Sequence, residues 1–93
     1  GKNTVLITSG ILDLGAQSDE IHLQIAKAAK PICDLVLYTG VDGRQVFREV
    51  FGSRMADREA TIQTVIDTLN AEDVVLVEGS IPQWLMKQLT RKL

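Results

Sequence analysis

Thr4-Val5-Leu6-Ile7-Thr8, closed by Ser9-Gly10, is the stretch whose reading decides the fold. A continuous β-rich apolar run without in-out alternation fits a strand covered on both faces, the pattern of parallel sheets. The pattern returns twice. Asp34-Leu35-Val36-Leu37-Tyr38 ends at Thr39-Gly40, and Asp73-Val74-Val75-Leu76-Val77 runs into Glu78-Gly79-Ser80. Each predicts a buried strand that stops at a glycine-containing turn.

Helical periodicity fills the intervals. Ser18 offers an N-cap, Asp19 and Glu20 suit a first turn, and Ile21, Ile25, Ala28 and Ala29 form an apolar stripe that Pro31 closes. Residues 41–50 read as a second helix, with Val46, Phe47, Val50 and Phe51 on one face and Gly52 as its stop. Arg54-Met55-Ala56 is at most a short strand. Asp57 is positioned to cap a helix in which Ile62, Val65, Ile66 and Leu69 recur at i, i+3, i+4 and i+7. Pro82 suits the first turn of a closing helix that buries Leu85, Leu89 and Trp84. Strands alternating with helices predict a single α/β domain, Rossmann-like, with a mostly parallel sheet and helices on both faces.

Composition narrows the function. The chain has 93 residues, 45% apolar and 24% charged, enough for one domain with a real core. Its net charge of −2 leaves no basic stripe for nucleic acid. Lys87, Arg91 and Lys92 read more simply as cations in the last turn of a helix. No apolar run approaches the roughly 20 residues of a membrane span, and no secretory leader is read at the N-terminus. Cys33, the single cysteine, forms no intrachain disulfide or cysteine cluster and reads as a small buried apolar residue. A reducing, cytoplasmic location is the expectation that fits.

Ligands of open parallel sheets bind beyond the carboxyl ends of the strands. Here those ends are Ser9-Gly10, Thr39-Gly40 and Glu78-Gly79-Ser80. Glycine there permits a sharp turn or close backbone approach, although βα turns use glycine without any ligand. The Gly79-Ser80 turn, read as immediately preceding a helix, offers backbone N–H groups to a phosphate or carboxylate. A plain N-cap at Ser80 explains the same residues, and Glu78 would repel an anion. No GxxxxGKS/T loop is present, and no GxGxxG follows a strand. Gly40-Val41-Asp42-Gly43 has neither the length nor the lysine. Asp13, Asp19, Glu20 and His22 are close in sequence, but first-turn charges and a partly exposed helix histidine account for them without a metal. No catalytic constellation and no metal site emerges.

One resemblance is carried by residues 6–22, Leu6-Ile7-Thr8-Ser9-Gly10-Ile11-Leu12-Asp13-Leu14-Gly15-Ala16-Gln17-Ser18-Asp19-Glu20-Ile21-His22. The segment resembles the strand–loop–helix text of Mur ligases, approximately VLGDMLELGxxSxxxH, most nearly in the branch that adds D-alanyl-D-alanine to the peptidoglycan precursor. Asp34 to Gly40 is similar to that family's strand ending in glycine, and Asp73 to Ser80 to its late DxVLvKGS element. The resemblance implies that residues 1–93 are a Mur ligase C-terminal domain, a fragment lacking its first strand and helix. It implies a parent enzyme that uses ATP and Mg2+, held mainly by a central domain outside this chain. That parent phosphorylates a carboxylate of a UDP-linked muramoyl-peptide, and the amine of an amino acid or dipeptide attacks the acyl phosphate. The contact residues it implies are Ser9, Gly10, Asp13, Leu14, Gly15, His22, Gly79 and Ser80; the domain closes over the site and is inactive alone. Three positions depart from the family text: Ser9 replaces a glycine, Gly10 an acidic residue and Glu78 a lysine. The other expectations are a scaffold or oligomerisation domain, marked by a large apolar surface patch, and a noncatalytic α/β binding or regulatory module. Its receiver-like version is disfavoured because the strands end in Ser9-Gly10 and Thr39-Gly40 rather than in acidic residues.

Overall fold

The computed structural model describes residues 2–92. Among them four strands form one parallel sheet: β1 (Thr4–Thr8), β2 (Leu35–Tyr38), β3 (Met55–Ala56) and β4 (Val74–Glu78), in the order β3-β2-β1-β4. Four α-helices connect and close them: α1 (Ser18–Ala29), α2 (Arg44–Phe51), α3 (Glu59–Thr68) and α4 (Gln83–Lys92). The α/β, Rossmann-like reading holds, with helices on both faces. No helix among the described residues is long and apolar enough to cross a membrane.

Side-chain alternation sorts the core into two layers. Val5, Ile7 and Leu37 point to one face and meet Ile62, Ile66 and Leu69 of the α3 region and Leu85 and Leu89 of α4. Leu6, Val36 and Tyr38 point to the other face and meet Ala26 of α1, Phe47 and Phe51 of α2, Cys33 and Met55. Fully burying an aliphatic side chain of this size contributes about 1.5–3 kcal/mol, so these two layers hold the sheet between its helices. Burial also pushes the Cys33 thiol above its ordinary pKa, with the nearby Asp34 carboxylate adding to the effect.

The amino ends of the strands are tied by two aspartates. Asp34, just before β2, accepts the Thr4 N–H at 2.8 Å. Asp73, just before β4, accepts the N–H groups of Asn3 at 2.8 Å and Asn70 at 2.9 Å. Those backbone donors hold the Asp73 carboxyl below the usual range. The aspartate that opens two of the apolar runs is therefore a register device. At the end of α1, Arg54 donates to the carbonyls of Lys30, Cys33 and Asp34 and lies 5.3 Å from the centre of the Phe51 ring.

Four local expectations are corrected. Val74, Leu76 and Val77 are 51%, 42% and 49% exposed, so β4 is an edge strand and not covered on both faces. An apolar run reports strand propensity, whereas strand order decides coverage. The buried line of α1 runs through His22 and Ala26, with Ile21, Ile25 and Ala29 only partly buried and Ala28 exposed. Ser18 is the first residue of α1 and makes no N-cap bond; the N-cap is Gln17. Asp57 does not cap α3 either: Arg58 is the N-cap, its N–H accepted by Thr61 Oγ1 at 3.3 Å, while Asp57 pairs with Arg48 at 2.7 Å.

Candidate functional site at the carboxyl rim of the sheet

Register places the three turns on one rim. Thr8 is level with both Tyr38 and Glu78, so Ser9-Gly10, Thr39-Gly40 and Gly79-Ser80 leave the sheet side by side. The contacts are close. A Cβ built on Gly40 would lie 1.8 Å from the Ser9 carbonyl oxygen, and one built on Gly79 would lie 3.5 Å from Ser9 Oγ. The Thr39 N–H donates to the Thr8 carbonyl at 2.9 Å, which locks the exit of β2 to that of β1.

Thr8 is the buried hinge of this rim, 1% exposed. Its hydroxyl accepts the Gly10 N–H at 3.1 Å and donates to Glu78 Oε1 at 3.4 Å. Glu78 is exposed and sets a negative charge beside the Gly79 turn. Asp13 and Asp42 are also exposed on the rim loops. Arg44, at the start of α2, bonds the Gly40 carbonyl through Nε at 2.8 Å.

Tyr38 and His22 fill the space beneath the loops, both 0% exposed. The Tyr38 hydroxyl donates to the Asp42 carbonyl. Burial pushes the Tyr38 pKa up to about 12, helped by the carboxylates of Asp42 and Glu78. The Ile11 N–H donates to His22 Nε2 at 3.0 Å, which leaves Nδ1 as the protonated nitrogen facing the Ser18 carbonyl at 2.8 Å. Gly43 makes room for the ring: a Cβ there would lie 2.2 Å from His22 Cδ2, and its φ of +81° is in the left-handed region.

The residues expected at the site fall into two groups. Ser9, Gly10, Gly79 and Ser80 stand together at the rim, with Ser9 and Gly10 half-buried and Gly79 and Ser80 exposed. Asp13, Leu14 and Gly15 lie further out on the same loop, where Asp13 takes a φ of 63° and a 3-10 turn over Gly15–Gln17 leads into α1. His22 is not the partly exposed helix residue the sequence predicts; it is enclosed, with both nitrogens engaged below the surface. Gly79-Ser80 does not immediately precede a helix. Ile81 and Pro82 intervene, and the Pro82 carbonyl receives the first helical bonds from Leu85 and Met86 at 3.1 and 3.0 Å. The free N–H groups of α4 therefore belong to that later turn, because proline with its fixed φ sets the helix start.

Sequence reasoning did not find the roles of Thr8, Tyr38, Asp42 and Arg44. The glycines at positions 40 and 43 are the sequence signal of a close approach there. Among the described residues no three His, Cys, Asp or Glu side chains gather to hold a metal ion. Compared with models of known protein families and with curated proteins, the chain matches none.

Proposed function

We propose that this chain is the C-terminal substrate-binding and closure domain of an ATP-dependent, amide-bond-forming ligase of the Mur type, acting in peptidoglycan precursor synthesis. The observation that carries the reading is the meeting of Ser9-Gly10 with Gly79 on one rim. These belong to the two segments, residues 6–22 and 73–80, that resemble the family text. In this reading Ser9, Gly10, Asp13, Leu14 and Gly15 shape the pocket for the incoming amine, and Gly79-Ser80 lines its other side. The exposed Glu78 carboxylate suits the ammonium end of an amino acid or dipeptide better than its carboxylate. His22 supports the loop from below and does not touch the substrate.

The chemistry of such a parent explains why a closing rim matters. An acyl phosphate hydrolyses if water reaches it, so a cover that excludes water and orients the amine raises the yield of amide. ATP and Mg2+ belong to the central domain of the parent. Among the described residues the carboxylates do not converge into a metal site. Calorimetry and a phosphate-release assay on the isolated chain test the reading. It predicts no ATP hydrolysis and no tight ATP binding; a tight nucleotide complex or turnover by this chain alone would overturn it.

A further inference from the structure

We propose that His22 is a proton-operated latch that holds the rim loop of residues 11–15 closed while its ring is neutral and releases it when the ring is protonated. The ring is enclosed, 0% exposed, and its two nitrogens have opposite tasks. Nε2 is 3.0 Å from the Ile11 N–H, a group that can only donate, so this nitrogen must present its lone pair. Nδ1 is 2.8 Å from the Ser18 carbonyl and 3.2 Å from the Ser18 hydroxyl. The carbonyl can only accept, so Nδ1 carries the hydrogen. A single tautomer satisfies both ends of the ring.

Protonation adds a hydrogen to Nε2 and sets two donors face to face at the Ile11 bond. The Ser18 end is unaffected, because Nδ1 already donates there. The strain therefore falls on one side only, the rim loop. No space is left for the ring to turn away, since Gly10 and Gly43 both pack on it so closely that a Cβ at either would lie 3.1 and 2.2 Å from ring atoms. The loop has no comparable second anchor in its middle: Ile11, Leu12 and Asp13 are exposed, and beyond them the Gln17 N–H reaches the Leu14 carbonyl at 3.3 Å. Ser9 and Gly10 are held by Gly40 and Thr8, so release of residues 11–15 is the response that relieves the clash.

Other charges do not substitute for the latch. From β2 the ring faces Tyr38, whose phenol is neutral until strongly alkaline pH. From the turn before α2 it faces Gly43, while Asp42 directs its carbonyl to the Tyr38 hydroxyl and Arg44 bonds the Gly40 carbonyl. From its own helix Asp19 and Glu20 are exposed, and Asp13 of the loop is exposed with them. No carboxylate among the described residues hydrogen-bonds the imidazole.

Nitrogen-15 NMR of the whole chain through an acid titration tests the proposal and is independent of any ligase activity. While neutral, the ring should show hydrogen on Nδ1 and a lone pair on Nε2. As His22 protonates, amide exchange of Ile11 and its loop neighbours should rise about tenfold or more, the scale of one lost hydrogen bond, while Leu37 and Ile66 stay protected. His22→Gln, whose side-chain oxygen can accept the Ile11 N–H without titrating, should abolish this pH response. If that variant does not fold, the wild-type titration decides alone. Hydrogen on Nε2 of the neutral ring, protonation of His22 without loop release, or loss of the whole fold in the same step would each overturn the latch.

Discussion

Gly40 and Ser9 leave no room between them for a side chain: a Cβ on Gly40 would lie 1.8 Å from the Ser9 carbonyl oxygen. The obstacle is backbone and not the tip of a mobile side chain, so it cannot be relieved by a rotamer change. Two neighbouring strands therefore deliver their loops to the rim as one packed unit. Gly40→Ala should force those loops apart and destabilise the fold by about 3 kcal/mol, the upper scale of overpacking in a close-packed site. Denaturant unfolding measures the loss, and a change within error of zero would mean the loops do not pack this way.

Tyr38 gives the rim a spectroscopic reporter, because it is the single tyrosine of the chain. Burial raises its pKa from the ordinary 10.0 to about 12. The folded state thus retains a proton that the unfolded chain gives up. Stability from this group is fully present below pH 10 and is lost as pH rises from there towards 12. Phenolate absorbance should stay low in the folded protein across that window and appear as the chain unfolds. Titration of the folded protein near the ordinary value would contradict the burial.

Asp57 separates two roles that sequence alone does not. As an N-cap it would be replaceable by serine; as the partner of Arg48 at 2.7 Å it is not. Asp57→Ser should destabilise as much as Asp57→Ala, each by about 0.5–1 kcal/mol, the scale of a partly exposed ion pair. The Arg48 hydrogen bond holds the Asp57 carboxyl below its usual pKa. Its contribution is therefore present above the ordinary carboxylate range and is lost as pH falls through the depressed value. Chemical denaturation of the two variants at neutral and acidic pH checks both statements; full retention of stability in Asp57→Ser would restore the cap.

Much of this molecule is written locally. Thr4–Thr8 is the strand the apolar run predicts, residue for residue, and Phe47, Phe51, Ile62, Ile66 and Leu69 are buried as their helical spacing requires. The shared rim also follows from sequence, because parallel strands must end on the same side. What was not legible depends on neighbours far along the chain. The apolar content of Val74 to Val77 does not say that β4 stands at the sheet edge. The same limit hid His22: its burial rests on an Ile11 N–H and a Ser18 carbonyl placed to satisfy both nitrogens, and polar groups enter a core only with such partners. The start of α4 is ambiguous in the sequence for a smaller reason: Ser80 and Pro82 both mark helix beginnings, and Pro82 sets it.

Backbone-amide NMR mapping tests most directly the proposed role of the carboxyl rim as the contact surface of an amide-forming ligase. The isolated chain would be titrated with D-alanyl-D-alanine and, separately, with a UDP-linked muramoyl-tripeptide. Weak, saturable shifts gathered at Ser9 to Gly15 and at Gly79-Ser80 are the predicted result. Shifts at the opposite ends of the strands, around Asn3, Asp34 and Asp73, or none up to the solubility of either ligand, would contradict it.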